Sequence, residues 1–285
     1  MDLRQSSEWG KFLETLGWES AYAGEIAIRV RHLGPVSTIK IQRPKNLTDE
    51  VLKQIVAVSK KNRAFLTKLE PVSLTSDQQK LLKKYRFNLD NWPLSVSKTI
   101  AIDLTSSLEE ILGRFSKDGR YCLRRVQHNP ACRAASWGGS TRIDDTILKN
   151  FYELFKQTAN RGHFWVPPLK EIEAKINAFG DNAFIVLAYH EDRVVSGALV
   201  LVVDQTAYYL HAGSTLEGHK LEAPYLVIWE IIKKAKELGC TKLDLEGIYD
   251  ERFPTTTKNW QNFTIFKKKF GGEELTFPGA FSRFF

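Results

Sequence analysis

A chain of 285 residues supplies material for one large domain or two small ones, and 43% hydrophobic residues exclude a disordered chain. No apolar run approaches the roughly 18 residues that a spanning helix needs. Met1 to Gly17 lacks a signal-peptide core, so a cytoplasmic location is expected. The net charge of +8 favours polyanionic partners without naming one, and three widely spaced cysteines, Cys122, Cys132 and Cys240, predict neither a disulfide framework nor a metal site.

Gly24 to Arg31 reads as a strand. Thr48, Asp49 and Glu50 open a helix with Leu52, Ile55, Val56 and Ser59 on one face. Arg63 to Leu69 is a second strand, ending at Glu70-Pro71, and Ser76 to Tyr85 is a short helix. Thr99 to Leu104 is again a strand. Ser107, with Glu110 three residues on, forms a capping box for a helix that buries Leu108, Ile111, Leu112 and Phe115. A longer helix runs from Asp144 to Asn160, with Ile147, Phe151, Leu154 and Phe155 at helical spacing and Arg161-Gly162 just past its end. Ala183 to Tyr189, Val194 to Val203 and Thr206 to Leu210 are strands joined by tight turns. Pro224 starts another helix, which buries Tyr225, Ile228, Trp229 and Ile232 and stops at Gly239. Lys242 to Leu245 follows as a strand that carries Asp244 and Glu246 beside Gly247. Phe266 to Gly272, read alone, is a basic strand ending in two glycines.

The alternation predicts a mixed α/β (α+β) architecture. Residues 96–272 are compatible with a GNAT-like (acyl-CoA N-acyltransferase-type) domain. Residues 1–95 read as a smaller, degenerate version of it, on which the phenylalanine-rich residues 273–285 are expected to pack.

An ordered series of short stretches resembles the FemABX family of peptidoglycan-branching, aminoacyl-tRNA-dependent transferases. The series comprises Trp9-Gly10-Lys11 with Leu16-Gly17-Trp18, then Leu69-Glu70-Pro71, then Ile102-Asp103-Leu104 before a basic helix. It continues with Thr158-Ala159-Asn160-Arg161, Tyr209-Leu210-His211-Ala212-Gly213-Ser214 and Ala223-Pro224-Tyr225. Leu243-Asp244-Leu245-Glu246-Gly247-Ile248 follows, and Phe266-Lys267 with Phe270-Gly271-Gly272 closes it. The chain is similar to the shorter members, without the long helical arm. Gln42-Arg43-Pro44-Lys45 stands where the family has a glycine-rich Pro-Arg-Gly-Pro stretch.

The resemblance implies transfer of an amino acid from aminoacyl-tRNA to the stem-peptide amine of UDP-MurNAc-pentapeptide or lipid II, forming an interpeptide bridge. It implies no cofactor beyond the tRNA co-substrate and no metal. The chain is expected to be a monomer that associates transiently with the inner membrane surface. By the same resemblance Lys267 stabilises the carbonyl oxygen in the tetrahedral intermediate and Phe266 packs on the terminal adenosine. Lys11 and Arg161 hold the diphosphate, Glu70 accepts or orients the attacking amine, and Tyr209 and Tyr225 line the peptide channel. The cluster Arg114, Lys117, Arg120, Arg124 and Arg125 offers a face to the tRNA acceptor stem, with Arg120, Arg124 and Arg125 as contacts.

Each of these residues has an ordinary alternative on pattern alone. Lys267 reads equally as a solvated lysine on an edge strand with Phe266 in the core. Arg161 suits a helix C-terminus, Glu70 a surface position, the two tyrosines plain packing, and the arginine cluster a solvated helix face. An acyl-CoA N-acyltransferase is a second reading of the fold. Its Arg/Gln-x-x-Gly-x-Gly/Ala turn has no match here, and Ala223-Pro224 occupies the helix start that needs glycines. A non-catalytic RNA-binding protein is a third reading, although no RNA-binding signature is present.

Overall fold

The computed structural model describes residues 1–138 and 143–285. In chain order the elements begin with α1 (Ser7–Glu14), β1 (Glu19–Ala23), β2 (Ile26–Leu33), β3 (Val36–Gln42), α2 (Asp49–Lys61), β4 (Ala64–Glu70), α3 (Ser76–Lys84) and β5 (Asn88–Asp90). Next come β6 (Lys98–Asp103), α4 (Leu108–Arg114), α5 (Lys117–Gln127), β7 (Cys132–Gly138), α6 (Asp145–Gly162) and α7 (Leu169–Phe179). The chain continues through β8 (Ala183–His190), β9 (Arg193–Val203), β10 (Thr206–Ser214), α8 (Leu216–Lys220), α9 (Ala223–Glu237) and β11 (Lys242–Gly247). It ends with α10 (Pro254–Thr257), α11 (Gln261–Lys268), β12 (Glu273–Thr276) and β13 (Ala280–Phe284).

These elements form two compact units. One comprises Met1–Lys98, Gly247–Gln261 and Leu275–Phe285, the other Thr99–Glu246 and Asn262–Glu274. The division expected from the sequence, 1–95 with 273–285 against 96–272, differs chiefly in residues 247–261, which fold with the first unit.

The first unit is built on a six-stranded sheet in the order β1-β2-β3-β4-β13-β5. β3 and β4 are parallel, and α2 makes the crossover between them. Thr48 caps α2 by accepting the Val51 N–H at 3.3 Å. Leu52 and Ile55 of α2 then bury against Ile28, Val30, Ile39, Ile41 and Leu69 of the sheet. β13 inserts between β4 and β5, with Phe281 opposite both Leu69 and Leu89. Gly10 shows why α1 needs a glycine: a Cβ there would lie 2.7 Å from Nη1 of the buried Arg29.

The second sheet has seven strands in the order β12-β6-β11-β10-β9-β8-β7. β7 to β10 form an antiparallel meander. β10 and β11 are parallel, with α9 crossing between them. From Val195 to Val203, β9 is buried without a break, as expected of a strand covered on both faces. β10 carries a bulge between Tyr209 and His211, which oppose the consecutive β9 residues Val200 and Leu199. The bulge turns Tyr209 and His211 to opposite faces of the sheet.

Phe266 to Lys268 do not form the expected strand; they are the last turn of α11. The cause is helical spacing. Phe266 and Phe270, four residues apart, meet edge to face at 4.9 Å and both pack on Tyr225. The chain then leaves the helix through Gly271 at φ +67, where a Cβ would lie 2.1 Å from the Arg114 carbonyl oxygen. Only glycine fits that turn. The first expected strand also shifts: Gly24 sits in a turn at φ +58, between β1 and β2.

Candidate functional site

The second unit brings four of the expected site residues, Lys267, Phe266, Tyr209 and Tyr225, together around the end of α11. Lys267 is 8% exposed although it belongs to a short, basic helix. Its Nζ donates to the Glu246 carbonyl oxygen at 3.3 Å and lies 6.0 Å from the centre of the Tyr209 ring. Burial lowers its pKa from the ordinary 10.5 to about 8, against the opposing charges of Glu246 and Asp244. The ammonium therefore sits in a low-dielectric pocket and is still mostly charged at neutral pH.

Around it, Phe266 is half-buried and packs on Tyr225, which is 6% exposed. Burial pushes the phenols of Tyr209 and Tyr225 well up, and at Tyr225 the neighbouring Cys122 thiol adds to it. Both tyrosines keep their protons at neutral pH and can act as donors.

Three residues at this place were given no role from the sequence. Asp244 and Glu246 on β11 are 8% and 7% exposed, and Thr99 on β6 is fully buried. Asp244 Oδ1 accepts the Thr99 hydroxyl and, at 2.8 Å, the Glu246 N–H. The Thr99 hydroxyl also lies 3.1 Å from the Glu246 carbonyl oxygen. Glu246 itself is left-handed at φ +59. The signal was present in Lys242-Leu243-Asp244-Leu245-Glu246-Gly247, where two carboxylates alternate with leucines on one face of a strand.

Arg161 ends α6 and donates from Nη2 to the Ser214 carbonyl oxygen at 2.6 Å. Thr158, one turn earlier, bonds both the N–H and the carbonyl of Ser214. Arg161 thus stands at the C-terminal end of β10, five residues beyond Tyr209. Its charge, together with burial, lowers the pKa of His219.

The arginines of α5 divide. Arg120 donates to the carbonyl oxygens of Gly113, at 3.0 Å, and Phe115, so it ties the end of α4 to α5. Arg124 is exposed and bonds only along its own helix through Arg120 O at 3.3 Å, and Arg125 is exposed with Glu222 at 3.8 Å.

Lys11 and Glu70 belong to the first unit. Lys11 is exposed on α1. Glu70 is 1% exposed at the end of β4, not a surface residue. Its carboxylate accepts the N–H of Leu94 and, at 3.0 and 3.2 Å, that of Ser95. Those bonds fix residues 94–95 against β4.

Among the described residues no group of three or more His, Cys, Asp or Glu could hold a metal ion, and no helix is long and apolar enough to cross a membrane.

Residues 189–283 match the FemAB family. A comparison with curated proteins finds no match. Among solved structures, FemX is similar over 100% of this chain and 92% of its own, at 18% identity and a TM-score of 0.81. L-PGS from Bacillus licheniformis is similar over 93% of this chain and 83% of its own, at 11% identity and a TM-score of 0.59. A tandem GNAT protein from the clavulanic acid pathway covers 91% of this chain and 78% of its own, at 9% identity and a TM-score of 0.55. The mixed α+β fold of two sheets is therefore shared with FemX and with GNAT-type proteins. The FemAB match covers residues 189–283, and over the full chain the likeness to FemX is one of fold.

Proposed function

We propose that this chain is a non-ribosomal aminoacyltransferase. It moves an amino acid from aminoacyl-tRNA to the stem-peptide amine of a peptidoglycan precursor, UDP-MurNAc-pentapeptide or lipid II. The amine attacks the ester carbonyl, a C–N bond forms, and the C–O bond to the terminal ribose breaks. The proton released by the amine ends on the departing ribose hydroxyl.

The observation that carries this reading is the buried Lys267 ammonium, held beside Tyr209 on a helix end. A cation in a low-dielectric site stabilises a developing oxyanion far better than one in water. Phe266, half-buried beside it, offers a ring edge or face to the terminal adenosine. Arg161 suits the precursor diphosphate, because guanidinium matches phosphate oxygens bidentately. From Ser214 back to Tyr209 is five residues of strand, roughly 15 Å at about 3.3 Å per residue. A sugar and part of an extended peptide cover such a span. Tyr209 and Tyr225 line the peptide channel. Arg124 and Arg125 face the tRNA, with Arg120 as their structural support.

The start of α9 argues against acyl-CoA as donor. Pro224 removes an N–H from the first turn, and Glu222 before it is left-handed and makes no capping bond.

The test is transfer of radiolabelled amino acids from a full panel of charged tRNAs to UDP-MurNAc-pentapeptide and to its lipid-linked form. Label should pass to one acceptor. Label in neither, or turnover of acyl-CoA instead, overturns the assignment.

A further inference from the structure

Lys267 sits on a helix of eight residues whose first turns are exposed, so its precision must come from what it touches. β11 supplies that. Glu246 is left-handed at φ +59, a strained conformation for a non-glycine residue. Its carbonyl oxygen is the acceptor for Lys267 Nζ at 3.3 Å. The conformation is pinned by Asp244, whose Oδ1 accepts the Glu246 N–H at 2.8 Å in an Asx-type turn. Asp244 is pinned in turn by the hydroxyl of Thr99 from β6, which also reaches the Glu246 carbonyl oxygen at 3.1 Å. All four residues are at least nine-tenths buried.

We propose that Asp244 and Glu246, locked by Thr99, are positioning residues that aim the Lys267 ammonium and keep it charged. This rests on the reading of Lys267 as the oxyanion partner. Buried ionised groups are sheltered from water best where an opposite charge answers them, and Lys267 is such a charge for both carboxylates. The charged groups that face Lys267 are those of Glu246 and Asp244 on β11, with the neutral phenol of Tyr209 on β10 as the third neighbour. Their charges raise the Lys267 pKa while burial lowers it. Without one of them the ammonium gives up its proton at lower pH.

The experiment is a titration of Lys267 by NMR in protein carrying 13Cε-labelled lysine, its signal assigned by loss in Lys267→Met. It is repeated in Asp244→Asn and Glu246→Gln, with the alkaline limb of the kcat–pH profile measured on the same samples. Each variant should move the Lys267 titration down by about one unit. The limb should move with it, and kcat at pH 8 should fall about fivefold, as the protonated fraction drops from about one half to about one tenth. Thr99→Ser, which keeps the hydroxyl, should behave as the parent, and Thr99→Val should lower kcat with KM for the acceptor unchanged. An unmoved titration in both carboxylate variants overturns the inference and leaves the reading of Lys267 standing. A titration that moves while the limb stays put supports the inference and removes Lys267 from the chemistry. If Asp244→Asn fails to fold, Glu246→Gln alone decides, since its charge is the larger influence on Lys267.

Discussion

Lys267 and Glu246 meet through an ammonium and a main-chain oxygen, 3.3 Å apart, with the carbonyl presented by a left-handed residue at the end of a strand. A side chain from a short helix is thereby held by backbone, which moves less than another side chain would. An oxyanion donor needs that kind of fixity, because the benefit depends on its being in place before charge develops.

Lys267→Ala should lower kcat by about 10²- to 10³-fold, the cost of removing one oxyanion donor. KM for the acceptor should change little. Steady-state kinetics with a single charged tRNA measure both. Equal losses in kcat and acceptor affinity would take Lys267 out of the oxyanion role.

The same lysine is expected to cost stability. Its pKa falls from 10.5 to about 8 on folding, so the unfolded chain binds the proton more tightly. The penalty, about 3 kcal/mol, is fully present below pH 8 and is relieved as pH rises from 8 towards 10.5. Lys267→Met should therefore melt higher than the parent at pH 7, and the gap should close by pH 10.5. Thermal melts across that range test it. A variant that melts lower at pH 7 would mean that the ion pairs outweigh the burial.

Arg161→Ala should raise the acceptor Kd by about 10- to 100-fold, the loss of a charge-assisted bond to phosphate of about 1.5–3 kcal/mol. Calorimetry with UDP-MurNAc-pentapeptide reads this directly. An unchanged Kd would leave Arg161 as a cap for Ser214 alone.

Glu70→Ala should act on stability before it acts on rate. It leaves the buried N–H of Ser95 without its acceptor, at about 1–3 kcal/mol, and frees that of the exposed Leu94. Urea denaturation should show the loss. Glu70→Gln, which retains one oxygen, should lose less. If Glu70→Gln melts as the parent and yet loses kcat about 100-fold, the carboxylate touches the amine after all.

Arg124 and Arg120 are expected to part company in tRNA binding. Arg124→Ala should weaken tRNA binding and reduce the salt slope by about one counterion. Arg120→Ala should chiefly lower the melting temperature, because it releases the Gly113 and Phe115 carbonyls. Salt-dependent binding isotherms separate the two, and identical slopes for Arg124→Ala and the parent would place the tRNA elsewhere.

The long periodic segments were legible in the sequence because burial imposes its period on them. Leu52 and Ile55 in α2, and Tyr225 to Ile232 in α9, are buried as the spacing requires. Short or interrupted segments were not. In α7 the buried face comprises Ile172, Lys175 and Phe179, so a lysine paired with Glu171 breaks the apolar stripe. α11 was misread because three lysines mask a two-aromatic helical pair whose partner, Tyr225, lies some forty positions earlier. The site shows the same limit. Glu70 was recognisable at a strand end, but the backbone it serves is at Leu94 and Ser95. Asp244, Glu246 and Thr99 become a group only when β6 brings its hydroxyl to β11.

The place of β13 between β4 and β5 bears on how the molecule is made. β4 and β5 are complete by Asp90, yet the strand that joins them begins only at Ala280. Throughout synthesis β4 shows an open row of N–H and carbonyl groups along one edge, ready to pair with any passing strand. The first unit can complete its sheet only once residues 280–284 are free. Its closure thus waits on a segment remote in sequence, and until that segment arrives the β4 edge has no partner on that side.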